Sequence, residues 1–171
     1  AAPRQISLIG SWLVNEENGT ITLGFADSGM KIALFGVDKI DLTDRDRVRE
    51  YFHTVHHEYC HIINQKKPYS DEFAKITPTG YTAVWNNHTD AELGFISAYA
   101  RANNIEDFAE MTAHMLIMGK TAWDTKINAI TSATAKESLR KKEAFVVNYF
   151  KSEWNIDFYE LQAEVQRKIQ Q

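Results

Sequence analysis

The hydrophobic positions change period once along the chain. Up to about residue 40 they come in short runs, ISLIGSWLV, TITLGF and MKIALFGV, divided by the turn-forming groups EENG and ADSG. Short apolar runs bounded by turn residues predict strands. In the second run Ile21, Leu23 and Phe25 alternate with polar or small residues, the period of a half-buried strand. The plain expectation is three antiparallel strands.

From LTDRDRVREYF onward the period becomes helical. Val48, Phe52, Val55, Tyr59 and Ile62 recur at spacings of 4, 3, 4 and 3, which makes one apolar stripe. Thr43 with Asp46 three residues on resembles a capping box, and Pro68 sets the latest end of the helix. Residues 66–90, with KKPYS, TPTG and WNNHTD, read as a long irregular connection. Helices are expected again over roughly 91–118, 133–152 and 158–170. Asp157 and Glu160 form a capping pair for the last, whose stripe is Leu161, Val165 and Ile169. No repeat, low-complexity tract or linker interrupts the chain, so residues 1–171 are expected to form one domain.

Composition narrows the function. Hydrophobic residues at 44% and charged residues at 25% place the 171-residue chain in the globular class. A net charge of −4 argues against a nucleic-acid partner, which requires a basic stripe. The longest apolar run, IALFGV, is strand-sized and far below the roughly 18 residues of a membrane span. The single cysteine, Cys60, excludes an internal disulfide framework. The start, AAPRQISLIG, has neither a charged n-region nor an apolar h-region and reads as a mature or trimmed chain.

The chemistry is concentrated in HTVHHEYCHI, residues 53–62, which holds four histidines, a glutamate and Cys60. At about 100° per residue, His57 and His61 fall opposite the apolar stripe with Glu58 beside them. HEYCH is therefore an HExxH motif: two imidazoles, one turn apart, converge on one zinc ion, and the glutamate can act as general base. The rival pair His53 and His57 lacks the glutamate, since Thr54 follows His53. His53 and His61 stand two turns apart, roughly 12 Å at 1.5 Å per residue, too far to share one ion. His53 is read as a supporting or surface residue, His56 as a flanking residue, and Cys60 as a small buried filler.

A third ligand is sought downstream. In NNIEDFAEMTAHML, Glu106 and Glu110 share a helix face, so that one can bind zinc while the other accepts a hydrogen bond from a liganding histidine. Which does which is open on spacing alone. Asp107 points elsewhere, and His114 suits a different spacing class. Tyr69, Tyr81 and Trp85 are candidates for a hydrophobic subsite, although core packing is the favoured reading.

HExxH followed some tens of residues later by a helical glutamate resembles the gluzincin pattern. The run YARANNIEDFAE, Tyr99 to Glu110, is also similar to the third-ligand segment of the anthrax lethal factor catalytic domain. That resemblance implies that Glu106 binds zinc, Glu110 supports the site and Tyr99 reaches the reacting centre. The whole sequence resembles more closely the zinc-binding metallopeptidases of gut anaerobes, the match being most specific from His53 to about Met118. It implies an α+β zincin: an N-terminal mostly antiparallel sheet, the HExxH helix and a helical C-terminal part. It also implies one Zn2+ per chain, a peptide or protein substrate, and MKIALFGV as the strand at the cleft edge. The resemblance further implies an extracytoplasmic location, as a bacterial cell-surface or periplasmic lipoprotein, with nutrient-import proteins, beside which such lipoproteins are often encoded, as partners. Any membrane attachment would then run through an N-terminal lipid not present in this chain. Two alternatives stand: a zinc-bearing binding module with little or no catalysis, and a protein without metal whose histidines form a solvated face.

Overall fold

The computed structural model describes residues 3–17, 19–85 and 91–169. It divides into two compact units, Ala1–Pro68 and Tyr69–Gln171. The NNHTD part of the expected connection, residues 86–90, lies outside the described residues. None of the described helices is long and apolar enough to cross a membrane.

The first unit is a small sheet against one helix. Its strands are β1 (Gln5–Ile9), β2 (Leu13–Val14), β3 (Ile21–Thr22), β4 (Gly24–Asp27) and β5 (Lys31–Phe35). β2 and β3 form a separate antiparallel hairpin, and the three-stranded sheet has the order β1-β5-β4. The three antiparallel strands expected from the sequence are thus corrected. β5 pairs antiparallel with β4 and parallel with β1, in the register Gln5↔Lys31 to Ile9↔Phe35. The chain leaves β1 and makes the hairpin before returning, so β1 meets β5 from the same direction. The ADSG turn does join β4 to β5, with Ser28 at φ 53° and Gly29 at φ 63°. Two consecutive positive φ values are what a tight hairpin turn requires. The side-chain amide of Gln65 accepts a hydrogen bond from the Gly29 amide and ties this turn to the helix.

That helix, α1, spans Arg45–Lys66. Its N-cap is Asp44 rather than Thr43: Asp44 Oδ1 accepts from the amides of Asp46 at 3.0 Å and Arg47 at 3.2 Å. Thr43 is instead engaged with Asp41, through its amide at 2.8 Å and its hydroxyl at 2.6 Å. Ile62 packs on Ile32 and Leu34 of β5, flanked by Ala26, Val37, Tyr51, Val55 and Tyr59. The expected stripe holds at Val55, Tyr59 and Ile62, whereas Phe52 is exposed and Tyr51 takes its place. The face of β4 toward α1 carries Gly24 and Ala26. Leu23 and Phe25, expected to be half-buried, are exposed. An alternating pattern names a strand but not which of its faces is covered.

The second unit is helical. A 3₁₀ turn, Tyr99–Arg101, precedes α2 (Asn104–Asn128), followed by α3 (Ala133–Trp154) and α4 (Phe158–Ile169). The helix expected from residue 91 begins only at Asn104, because Asn103 caps it, its Oδ1 accepting from Ile105 N at 2.9 Å and Glu106 N at 3.0 Å. Ser132 caps α3, and Asp157 Oδ1 caps α4 through the Tyr159 and Glu160 amides. The core is aromatic: Tyr69 stacks on Phe108 at 4.2 Å, and Phe73, Phe145 and Tyr149 surround the pair edge-on.

Two polar features organise this core. Lys142 Nζ on α3 lies 2.7 Å from Asp107 Oδ2 on α2, both side chains fully buried. Lys142 also donates to Gly94 O at 2.8 Å and sits 3.9 Å above the Phe95 ring. The second feature is a break in α2 at Gly119, whose φ of 74° and ψ of 164° are non-helical. Two glutamines of α4 occupy the break: Gln162 Nε2 donates to Met115 O at 2.6 Å, and Gln166 Nε2 to Leu116 O at 2.6 Å and Ile117 O at 2.8 Å.

Candidate metal centre

In the first unit the motif lies in the middle of α1. His57 and Glu58 are buried and His61 is half-buried. The Nε2 atoms of His57 and His61 are 3.0 Å apart, with the rings edge to face at a centroid distance of 4.7 Å. The four-residue spacing stacks the two side chains on one face, and the imidazoles turn their Nε2 atoms toward a common point. A tetrahedral zinc ion with bonds of about 2.0–2.1 Å holds its ligand atoms about 3.3 Å apart, so this pair fits such an ion closely.

Glu58 is held from behind by the sheet. A Cβ built on Gly24 would stand 2.8 Å from Glu58 Cγ, 3.1 Å from its Oε1 and 3.1 Å from Thr54 Cγ2. Only glycine lets β4 approach the helix this closely. Gly24 was not singled out from the sequence, although a glycine inside a strand is itself a signal of close backbone approach. His56, the flanking residue, is pushed down to about 4 by burial and is neutral at neutral pH. Cys60 is buried, as expected, with the Asn64 amide 3.7 Å from its Sγ.

In the second unit the cap at Asn103 sets Glu106 in the first turn of α2, partly buried, and Glu110 one turn later, buried. Ser97 Oγ donates to Glu110 Oε2 at 2.5 Å and accepts from the Ala100 amide at 3.1 Å. The glutamate and the turn carrying Tyr99 are therefore linked through one hydroxyl. His114 Nε2 lies 3.5 Å from Glu110 Oε2. Tyr99 is 38% exposed and meets the ring of Trp85 edge-on at 4.9 Å. Tyr69 and Tyr81 serve the core: Tyr69 donates to Asn104 O at 2.8 Å, and Tyr81 donates to Asp107 Oδ2 at 2.9 Å. Asp107 does point away from Glu106 and Glu110, into the pairing with Lys142. Burial pushes its carboxyl up to about 6 and the Lys142 ammonium down.

Among the described residues, the metal-ligating candidates of the first unit are the imidazoles of His53, His57 and His61, and those of the second are the carboxylates of Glu106 and Glu110 and the imidazole of His114. Two neutral imidazoles and a carboxylate are the donor set of a catalytic zinc site.

Two comparisons with known proteins agree, and no curated protein matches the chain. A crystal structure from Bacteroides caccae ATCC 43185 superposes with a TM-score of 0.76 at 30% identity, covering 98% of this chain and 65% of that one. The chain thus spans a little under two thirds of that protein's length. A family of the same description, "putative zinc-binding metallo-peptidase", matches residues 1–159. With almost its whole length inside that family's pattern, the chain belongs to it.

Proposed function

We propose that the chain acts as one catalytic domain, a gluzincin-type zinc metallopeptidase hydrolysing peptide bonds. The observation that carries this reading is the His57–His61 pair, its Nε2 atoms 3.0 Å apart, with the buried Glu58 beside it and Gly24 behind it. His57, His61 and Glu106 would hold zinc, and Glu110 would support the site. When bound, the ion supplies a polarised water of lowered pKa and charge stabilisation. Glu58 takes the proton of the attacking water and returns it to the leaving amine. The Tyr99 hydroxyl donates to the oxyanion of the tetrahedral intermediate.

The cleft-edge strand is reassigned. β5, the strand expected at the edge, is paired on both sides. β4 is an edge of the sheet, and in its antiparallel ladder Leu23 and Phe25 face β5. The backbone groups of Gly24 and Ala26 therefore point outward, where an extended peptide can add as a strand. An extracytoplasmic location as a lipid-anchored protein working beside nutrient-import proteins belongs to the same proposal and rests on family resemblance.

The test is a peptide-library digest by zinc-loaded protein with Glu58→Gln as the blank. The variant should keep its metal while hydrolysis falls by at least about 10²-fold. Equal digestion by both proteins would reject the reading. Absence of digestion by either, with zinc bound, would favour the zinc-bearing binding module.

A further inference from the structure

We propose that a cavity of about 360 Å³ beside the first half of α1 is a subsite for one large aromatic side chain of the substrate, a proposal that rests on the peptidase reading above. Its walls include Trp12, Leu23, Phe35, Ile40, Tyr51 and Thr54. Small-ligand pockets run from about 300 to 1,000 Å³, so this one suits a single large side chain.

Three observations select the occupant. The first is the aromatic wall. A Cβ on Gly36 would stand 2.2 Å from Trp12 Cζ3, and Gly36 itself has a φ of 66°. Glycine alone satisfies both conditions, and it lets the indole lie close against the backbone while Trp12 stays 41% exposed. An exposed ring in a lining that also includes Phe35 and Tyr51 offers edge and face contacts to another ring. The second is charge. Of the charged lining residues, Lys39 lies 3.0 Å from Asp38, and Arg47 lies 3.4 Å from Glu50. With these charges already paired, the cavity gives an apolar occupant the advantage over a charged one. The third is Tyr51, whose hydroxyl is buried and has no hydrogen-bond partner among the described residues. Buried hydroxyls are normally satisfied, so an occupant with a polar ring edge has a partner to gain in this lining residue.

The cavity also lies where a substrate side chain would pass. Leu23 directly precedes Gly24, and Thr54 stands one helical turn before Glu58. The Cβ position of Gly24 is 3.1 Å from both Thr54 Cγ2 and Glu58 Oε1. Wall and catalytic carboxylate thus meet at one point of the edge strand. One turn of helix is about 5.4 Å and an extended peptide advances about 3.3 Å per residue, so the occupant belongs one or two residues from the bond cut.

The experiment has a catalytic and a binding arm. Cleavage sites from a peptide-library digest should be enriched in Phe, Tyr or Trp at one position within two residues of the cut. For a peptide pair differing only by Trp or Ala there, Trp12→Ala should lower kcat/KM for the aromatic peptide about tenfold, the order of effect of altering an apolar pocket, with the alanine peptide little changed. Leu23→Trp, at an exposed position, should fill the cavity and abolish the preference. The same two peptides are titrated calorimetrically into Glu58→Gln protein, where no turnover is needed. Tighter binding of the aromatic peptide, lost on Leu23→Trp, supports the subsite even if hydrolysis fails. Equal binding of the two peptides overturns the subsite and leaves the peptidase reading to its own test. An equal loss on both peptides in Trp12→Ala also overturns it, by making Trp12 structural.

Discussion

Gly24 and Glu58 stand so close that a methyl group on the first would lie 2.8 Å from the Cγ of the second. The edge strand therefore fixes where the carboxylate can be. Gly24→Ala should push Glu58 aside without touching either histidine. Turnover should fall about 10²-fold, the scale of a 1 Å misplacement, while zinc content stays at the parental level. Steady-state kinetics alongside metal analysis check this, and full activity would show that the carboxylate tolerates displacement.

The histidines divide by position on α1. His57→Ala and His61→Ala should lose zinc, and His53→Ala should retain it. In the second unit Glu106→Ala should lose zinc at ordinary concentrations. Glu110→Ala should weaken binding by roughly 10–100-fold, as expected of a residue acting through a ligand. Metal titration of untagged protein ranks all five. A reversed order of the glutamates would make Glu110 the ligand.

Tyr99 is partly exposed and packs edge-on against Trp85, so its ring has a structural task apart from its hydroxyl. Tyr99→Phe keeps the ring. It should leave zinc occupancy and Tm nearly unchanged and lower kcat by roughly 10- to 1000-fold, with a smaller effect on KM. A variant as active as the parent would leave Tyr99 a packing residue.

Lys142 and Asp107 form a fully buried ion pair. Lys142→Met leaves a carboxylate buried without its cation and should cost about 3–5 kcal/mol in denaturant unfolding. Adding Asp107→Leu should restore much of that loss, since a buried pair replaced by apolar groups is often near neutral. A double variant no more stable than the single one would refute this account of the pair.

The legible parts of the chain were those with local periodicity. HEYCH sits on a helix whose stripe and stop signal lie within some twenty residues, so its face could be read directly. The parallel β1–β5 pairing could not be, because the partner of β1 is the fourth strand after it and its own run carries no mark of direction. Ile21, Leu23 and Phe25 have the right alternation but an uncovered face. Lys142 was missed although a signal was present. Ala135, Leu139, Lys142 and Val146 recur at spacings of 4, 3 and 4, and all four are buried. A lysine inside an apolar stripe asks for a buried acid. Which acid, 35 positions away, is decided only by the packing of α3 on α2.

The break at Gly119 couples two segments in time as well as in space. The carbonyls of Met115, Leu116 and Ile117, freed from helical partners, are satisfied by side chains of α4. If α4 undocks, those carbonyls and the glutamine amides lose their partners together. Neither segment can then open cheaply alone. Amide protons on both sides of the break and along α4 should exchange with solvent through one shared opening, with a common dependence on denaturant. The start of α2, which carries Glu106, is on the far side of that break and is anchored separately by Lys142. Loosening of the C-terminal helix can then proceed without disturbing the glutamate.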